Sequence, residues 1–118
     1  MCIRDSIGHL RAAAELLQAF RAIEPTMPTS YAAAFLAVAL DPGKGTVHYA
    51  KVLGVVQPVA SRHLLEIGQK TRTNKPGLGL VASEYDNVDL RLKRYFLTAK
   101  GKALLAKIDA AMSRRRAA

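Results

Sequence analysis

Gln57, Ser61 and Arg62 stand close together, each with hydrogen-bonding groups on its side chain. Further along come Lys70, Arg72 and Lys75, then Arg91, Lys93 and Arg94, and a terminal run from Arg114 to Arg116. Such groups make and break no bonds by themselves. Ammonium and guanidinium hold phosphates, and an arginine fork also pairs with the two acceptors on a guanine edge. The chemistry on offer is recognition of a polyanion. Arg62 suits a base contact, while Gln57 suits either the adenine edge or simply the start of a helix. Lys70, Arg72 and Lys75 suit phosphates, which give affinity and salt dependence rather than sequence choice. Lys93 and Arg94 are neighbours on a predicted strand, so one faces the polyanion and the other solvent. Arg114 to Arg116 fit either a phosphate contact or a frayed basic tail.

Other chemistries lack their residues. His9, His48 and His63 have neither the spacing nor the cysteine companions of a metal site, and His63 reads as a packed core histidine. Gly43-Lys44-Gly45-Thr46 lacks the full phosphate-loop pattern and has no strand before it. Gly77-Leu78-Gly79 reads only as a loop. No nucleophile and base share a local signature, so an enzyme is not expected and no cofactor is implied. The single cysteine, Cys2, excludes a disulfide framework and suits a reducing cytosol. The hexapeptide MCIRDS resembles translated adapter sequence, and residues 1–6 are read as a non-native extension.

The net charge of +9 is unevenly placed. Residues 1–43 carry 3 Lys/Arg against 4 Asp/Glu, residues 44–102 carry 11 against 4, and residues 103–118 carry 4 against 1. Positive charge gathers in the middle and at the end, as on a face that meets nucleic acid.

The elements that must position these groups follow from periodicity and punctuation. Leu10, Ala13, Ala14, Leu17, Phe20 and Ala22 or Ile23 recur near a 3.6-residue period and predict a first helix over Ile7 to Ile23. Glu24-Pro25-Thr26-Met27-Pro28 ends it, because the residue before a proline avoids the helical region. A second helix is expected from Pro28 to Leu40, with Ser30 as an alternative cap. Its apolar run, Tyr31 to Leu40, is too short to cross a bilayer, so a soluble, cytoplasmic protein without a membrane partner is expected.

Asp41-Pro42-Gly43 stops that helix, and Thr46 can cap a third over Val47 to Leu53. Gly54-Val55-Val56 reads as a turn in which Gly54 takes a positive φ. A fourth helix follows from Gln57 to about Lys70, with Pro58 harmless in its first turn. Ala60, His63, Leu64 and Ile67 form its apolar stripe, with Pro58, Arg62, Leu65 and Gln69 opposite. Leu80 to Tyr85 and Leu92 to Leu97 read as strands around an exposed turn at Asp86 to Arg91. Thr98 caps a last helix to about Arg114, with Leu104, Leu105, Ile108 and Met112 on one face. The fold class is mainly α with a small β-hairpin, in winged helix-turn-helix order: helix-turn-helix 46–70, wing 80–97 and C-terminal helix 98–114, within one domain over 7–116.

Two stretches add a family resemblance. Asp86-Asn87-Val88-Asp89-Leu90-Arg91-Leu92-Lys93-Arg94-Tyr95-Phe96-Leu97-Thr98-Ala99-Lys100-Gly101-Lys102-Ala103-Leu104 resembles the wing and following helix of MarR-type (multiple-antibiotic-resistance) winged-helix regulators. Leu53-Gly54-Val55-Val56-Gln57-Pro58-Val59-Ala60-Ser61-Arg62 is similar to the same family's Leu-Gly-x-Ser-x-x-x-Val-Ser-Arg. Together they cover roughly residues 28–108. The resemblance implies that Ser61 and Arg62 face the major groove, that Arg91 reaches the minor groove, and that Asp89 helps hold the wing. It also implies a homodimer through terminal helices, although little chain follows residue 112 here.

Three departures stand out. Val56 replaces the usual capping serine, and Leu90 replaces a second wing arginine. Extra residues between Ile67 and Gly79, including KPGLGL, look like versions carried by phages and related mobile elements. The resulting expectation is a sequence-specific double-stranded-DNA-binding transcriptional regulator of a bacterium or its phage. The alternative is a winged-helix protein-interaction module of a phage or replication complex. RNA binding is disfavoured, because aromatic side chains do not interleave with the basic ones.

Overall fold

Proline and glycine punctuation divides the chain into helices and a hairpin. The computed structural model describes residues 3–69, 77–85, 88 and 92–117, with side chains described from 7 to 113 within those ranges. The order is α1 (Ile3–Ile23), α2 (Thr29–Leu40), α3 (Thr46–Leu53), α4 (Gln57–Glu66), β1 (Val81–Tyr85), β2 (Lys93–Leu97) and α5 (Ala99–Ala117). This is the expected mainly α, winged-helix arrangement. Two compact units divide the chain, one of residues 28–102 and one of residues 1–27 with 103–118. None of the described helices is long and apolar enough to cross a membrane.

In the unit of residues 28–102, α2 packs against α3, α4 and β2. The core holds Phe35 and Val38 from α2, Tyr49 from α3, and Leu64 from α4, with Ile67, Leu80 and Val81. The turn between α3 and α4 depends on Gly54, whose φ of 70° belongs to the left-handed region that favours glycine. Its N–H donates to the Lys51 carbonyl, and the Val55 N–H donates back to Ala50 at 3.0 Å. That pair of bonds is a Schellman cap, and it explains why the chain stops and restarts so abruptly.

Several expected boundaries move. Gly45, not Thr46, occupies the cap position of α3, and Pro28, not Ser30, that of α2; neither supplies a side-chain cap. Val56 caps α4 without a side-chain hydrogen bond, as its substitution for serine predicts.

Helix α4 ends at Glu66, short of the expected Lys70. Beyond it, the carbonyls of Glu66, Ile67, Gly68 and Gln69 accept N–H groups from Leu78, Leu80, Gly79 and Gly77. The returning chain thus takes the acceptors that a longer helix would use. It runs so close that a Cβ on Gly77 would collide with the Gly68 carbonyl oxygen.

The hairpin is antiparallel, with Val81 opposite Leu97, Ser83 opposite Tyr95 and Tyr85 opposite Lys93. Each strand begins one residue later than expected. A feature the sequence analysis lacks is a bridge from Lys44 to Tyr95. The Gly43 N–H donates to the Tyr95 carbonyl at 2.8 Å, and the Tyr95 N–H donates to the Lys44 carbonyl at 3.1 Å. Thr98 caps α5 as expected: its Oγ1 accepts the Gly101 N–H at 3.1 Å and donates to the Gly79 carbonyl.

In the other unit, α1 begins at Ile3, so residues 3–6 extend the helix expected from Ile7. Its inward face also differs from the expected stripe. Ala12 and Phe20 are buried, whereas Ile7, Leu10 and Leu17 are 46%, 68% and 51% exposed. On α5, Leu104, Ile108 and Ala111 are buried, and Met112 is exposed.

Candidate nucleic-acid interface

The polar first half of α4 is exposed because its apolar stripe is satisfied on the other side. Ala60, Leu64 and Ile67 are fully buried, while Gln57, Pro58 and Arg62 face solvent and Ser61 is half-buried. His63 departs from the expected core histidine: it is half-buried, its ring is 5.5 Å from that of Tyr31, and its Nδ1 is shut away without a hydrogen-bond partner.

Beside this helix lies an open groove of about 710 Å³. The α2–α3 loop and α3 supply Lys44, Gly45, Thr46, Val47, His48 and Lys51; α4 supplies Gln57, Ser61 and Leu65; the wing supplies Leu92, Lys93, Arg94 and Tyr95. Four of these side chains are Lys or Arg. Among the described residues, no carboxylate lines the groove. Like charges held along one concave surface repel one another and raise the local concentration of an anion that neutralises them.

Tyr49 holds the loop side of the groove in place. It is fully buried, and its hydroxyl donates to the Asp41 carbonyl at 2.8 Å while accepting the Lys44 N–H at 3.3 Å. Its ring meets that of Tyr95 edge-on, with centroids 6.1 Å apart. Burial pushes the Tyr49 phenol above its usual 10.0; the Lys44 amide opposes this, and Asp41 and Tyr95 add to it. The phenol therefore stays protonated at neutral pH and remains a donor to Asp41. Together with the Lys44–Tyr95 bridge, this ties the loop to the wing strand. Beside it, His48 Nε2 lies 2.8 Å from Asp41 Oδ2.

Of the residues predicted from sequence, Gln57, Ser61 and Lys93 come together in the groove. Arg62 is exposed on the same helix but does not line it. Lys93 and Arg94 both line it, contrary to the expected division between them, because the groove runs along β2 and takes atoms from successive residues. Lys93 also places its ammonium 5.5 Å from the Tyr85 ring, the residue opposite it in the hairpin. Lys70, Arg72, Lys75, Asp89 and Arg91 lie outside the described residues.

Sequence reasoning missed Lys44 and Lys51. Lys44 lies in the loop before α3 and Lys51 in the last turn of α3. Nothing in the local sequence marks the one-residue bridge at Lys44.

No family model matches the chain, and no curated protein matches it in sequence. Solved structures do match. One is a MarR family transcription regulator, with a TM-score of 0.64 and 22% identity, covering 98% of this chain and 68% of that one. A MarR-like transcriptional regulator from Thermotoga maritima aligns with a TM-score of 0.63 and 28% identity over 77% of this chain and 59% of its own. The transcriptional repressor CouR, bound to a 23-mer DNA duplex, aligns with a TM-score of 0.57 and 25% identity over 93% of this chain and 70% of its own. The chain thus spans about three fifths to 70% of the length of these regulators. Its fold is the MarR-type winged helix, and the likeness supports a DNA-binding transcription regulator rather than an enzyme.

Proposed function

We propose that this MarR-type winged helix is a sequence-specific regulator that reads double-stranded DNA. The observation that carries the proposal is the groove lined by Lys44, Lys51, Lys93 and Arg94, without a carboxylate among the described residues, beside the exposed face of α4. In this reading the four cations hold phosphates, and Gln57, Ser61 and Arg62 meet base edges in the major groove. By the resemblance, Arg91 reaches the minor groove and Asp89 supports the wing. Lys70, Arg72 and Lys75 add phosphate contacts. Occupancy of the site by this cytoplasmic protein blocks or adjusts access of RNA polymerase. Residues 1–6 have no part in this function.

A homodimer belongs to the same proposal. Ile7, Leu10 and Leu17 recur along α1 at helical spacing and are exposed, and a second copy would remove them from water.

The test is a fluorescence-anisotropy titration of a labelled pool of duplexes at two salt concentrations, comparing wild type with Arg62→Ala and Arg91→Ala. Tight binding is expected, weakening steeply with salt, since each neutralised phosphate adds about −0.9 to the slope of log K against log salt. Both variants should bind more weakly while folding normally by circular dichroism. A wild type that does not bind duplex at low salt overturns the proposal and points the groove toward an acidic protein partner instead.

A further inference from the structure

Tyr85 is the one exposed aromatic side chain among the described residues, at 61%. A single exposed apolar residue means little by itself, and its place on the hairpin is what gives it meaning. Cross-strand partners, and alternate residues of one strand, share a face of the sheet. The register therefore puts Tyr85 with Lys93, and Ser83 with Tyr95, on the same face as Val81. Toward the base of the hairpin that face is closed: Val81 and Tyr95 are buried, and the Tyr95 ring meets Tyr49 of α3. Lys93 and Tyr95 line the cationic groove. Tyr85 thus continues the wing side of that groove toward the hairpin tip. Glu84, the only carboxylate in the two strands, stands opposite Arg94 on the other face.

From this placement we propose that Tyr85 is a DNA-contacting residue of the wing: its ring holds the Lys93 ammonium at the groove and covers a deoxyribose beside the phosphate that Lys93 takes. The inference rests on the DNA-binding reading above.

The Lys93 ammonium lies over the Tyr85 ring, 5.5 Å from its centre. At that range the electron-rich face of the ring attracts the cation. A lysine side chain is long and flexible, and fixing it on a ligand costs entropy. A ring that already restrains the ammonium reduces that cost, which is a gain in binding without a new charge. With the cation over one face, the rest of the exposed ring is left for a further contact. A sugar–phosphate strand matches the pair, because it sets a carbon-rich sugar beside each anion. Tyrosine is also among the side chains that contact the DNA backbone rather than base edges, so this contact adds affinity and register without choosing a sequence.

The experiment is a titration of a labelled duplex pool across a salt series. It compares wild type with Tyr85→Ala, Tyr85→Phe, Lys93→Ala, Lys51→Ala, and the two pairs that join Tyr85→Ala to each lysine change. Circular dichroism checks that each variant folds. Tyr85→Ala should weaken binding about fivefold. Tyr85→Phe, which keeps the ring, should lose less. Lys93→Ala should also lower the salt slope by about 0.9. The loss caused by Tyr85→Ala should shrink in the Lys93→Ala background and keep its full size in the Lys51→Ala background. A merely structural role for Tyr85 would give the same loss in both. The chain contains no tryptophan, so Tyr85→Trp supplies a single emitter at this position. Saturating duplex should shield its emission from acrylamide.

Wild-type affinity in Tyr85→Ala overturns the contact, as does emission from Tyr85→Trp that stays equally open to acrylamide with duplex bound. Equal losses in the two lysine backgrounds overturn the pairing with Lys93. Each of these leaves the DNA-binding reading intact. Failure of wild type to bind duplex at low salt removes both.

Discussion

The two units of the chain differ in how their exposed apolar residues are distributed. Residues 28–102 close a core around Phe35, Tyr49, Leu64, Ile67 and Leu80, with large side chains from three helices and the approach to the hairpin. In the terminal unit Phe20, Leu104 and Ile108 are buried together with Ala12 and Ala111, while Ile7, Leu10 and Leu17 of α1 stay in water. Apolar burial favours folding by about 25 cal/mol per Å². In the first unit the apolar residues left exposed, such as Leu40, Val56 and Val88, are scattered over several elements and turns. In the second, Ile7, Leu10 and Leu17 recur at helical spacing along α1. The helix-turn-helix and wing present a groove, whereas a row of exposed apolar residues on α1 is suited to association.

The sharpest way to break this comparison is to cut side chains from each unit. Leu64→Ala should cost about 2–5 kcal/mol in urea unfolding, because Leu64 is fully buried and leaves a cavity. Leu17→Ala, at an exposed site, should change monomer unfolding by about 0.5 kcal/mol or less. The same Leu17 variant should weaken self-association in sedimentation experiments; equal losses of stability in both variants would show that the units do not differ.

Next in size is Arg62→Ala, expected to cost about 1–3 kcal/mol of binding at a preferred DNA sequence while leaving stability unchanged. Val56→Ser restores a helix cap, and should add roughly 0.5–2 kcal/mol to unfolding stability. Its gain should appear in the midpoint of urea unfolding without a change in slope.

Tyr49→Phe should cost about 1 kcal/mol at neutral pH for the lost hydrogen bond to Asp41. Because the folded phenol is raised, its contribution is fully present below the ordinary tyrosine range and is lost as pH rises through the raised value. Wild-type stability should therefore fall more steeply than that of the variant at alkaline pH. Equal alkaline slopes would show that this hydroxyl does not anchor the loop.

What could be read from the sequence follows the range of the interactions. Helical periods and the Gly54 turn are local, so the order of elements and the buried Ala60, Leu64 and Ile67 could be anticipated. The end of α4 could not. It is set by residues 77–80 returning to the carbonyls of residues 66–69, a pairing with no local periodicity. On α1 the expected Phe20 is buried, but Ala12 and not Leu10 or Leu17 is buried with it.

The candidate site divides in the same way. Gln57, Ser61 and Lys93 carried visible chemistry and lie in the groove. Lys44 joined them through a bridge to Tyr95 that depends on tertiary contact, and Lys51 followed from the exposed face of a short helix.

The central claim is that one surface holds two functions, phosphate grip from the groove and base reading from α4. The most direct test measures Lys51→Ala and Arg62→Ala against a selected duplex and its scrambled counterpart across a salt series. Lys51→Ala should weaken both duplexes alike and reduce the salt slope by about one, whereas Arg62→Ala should weaken chiefly the selected duplex. Identical profiles for the two variants, or wild-type affinity in both, would contradict it.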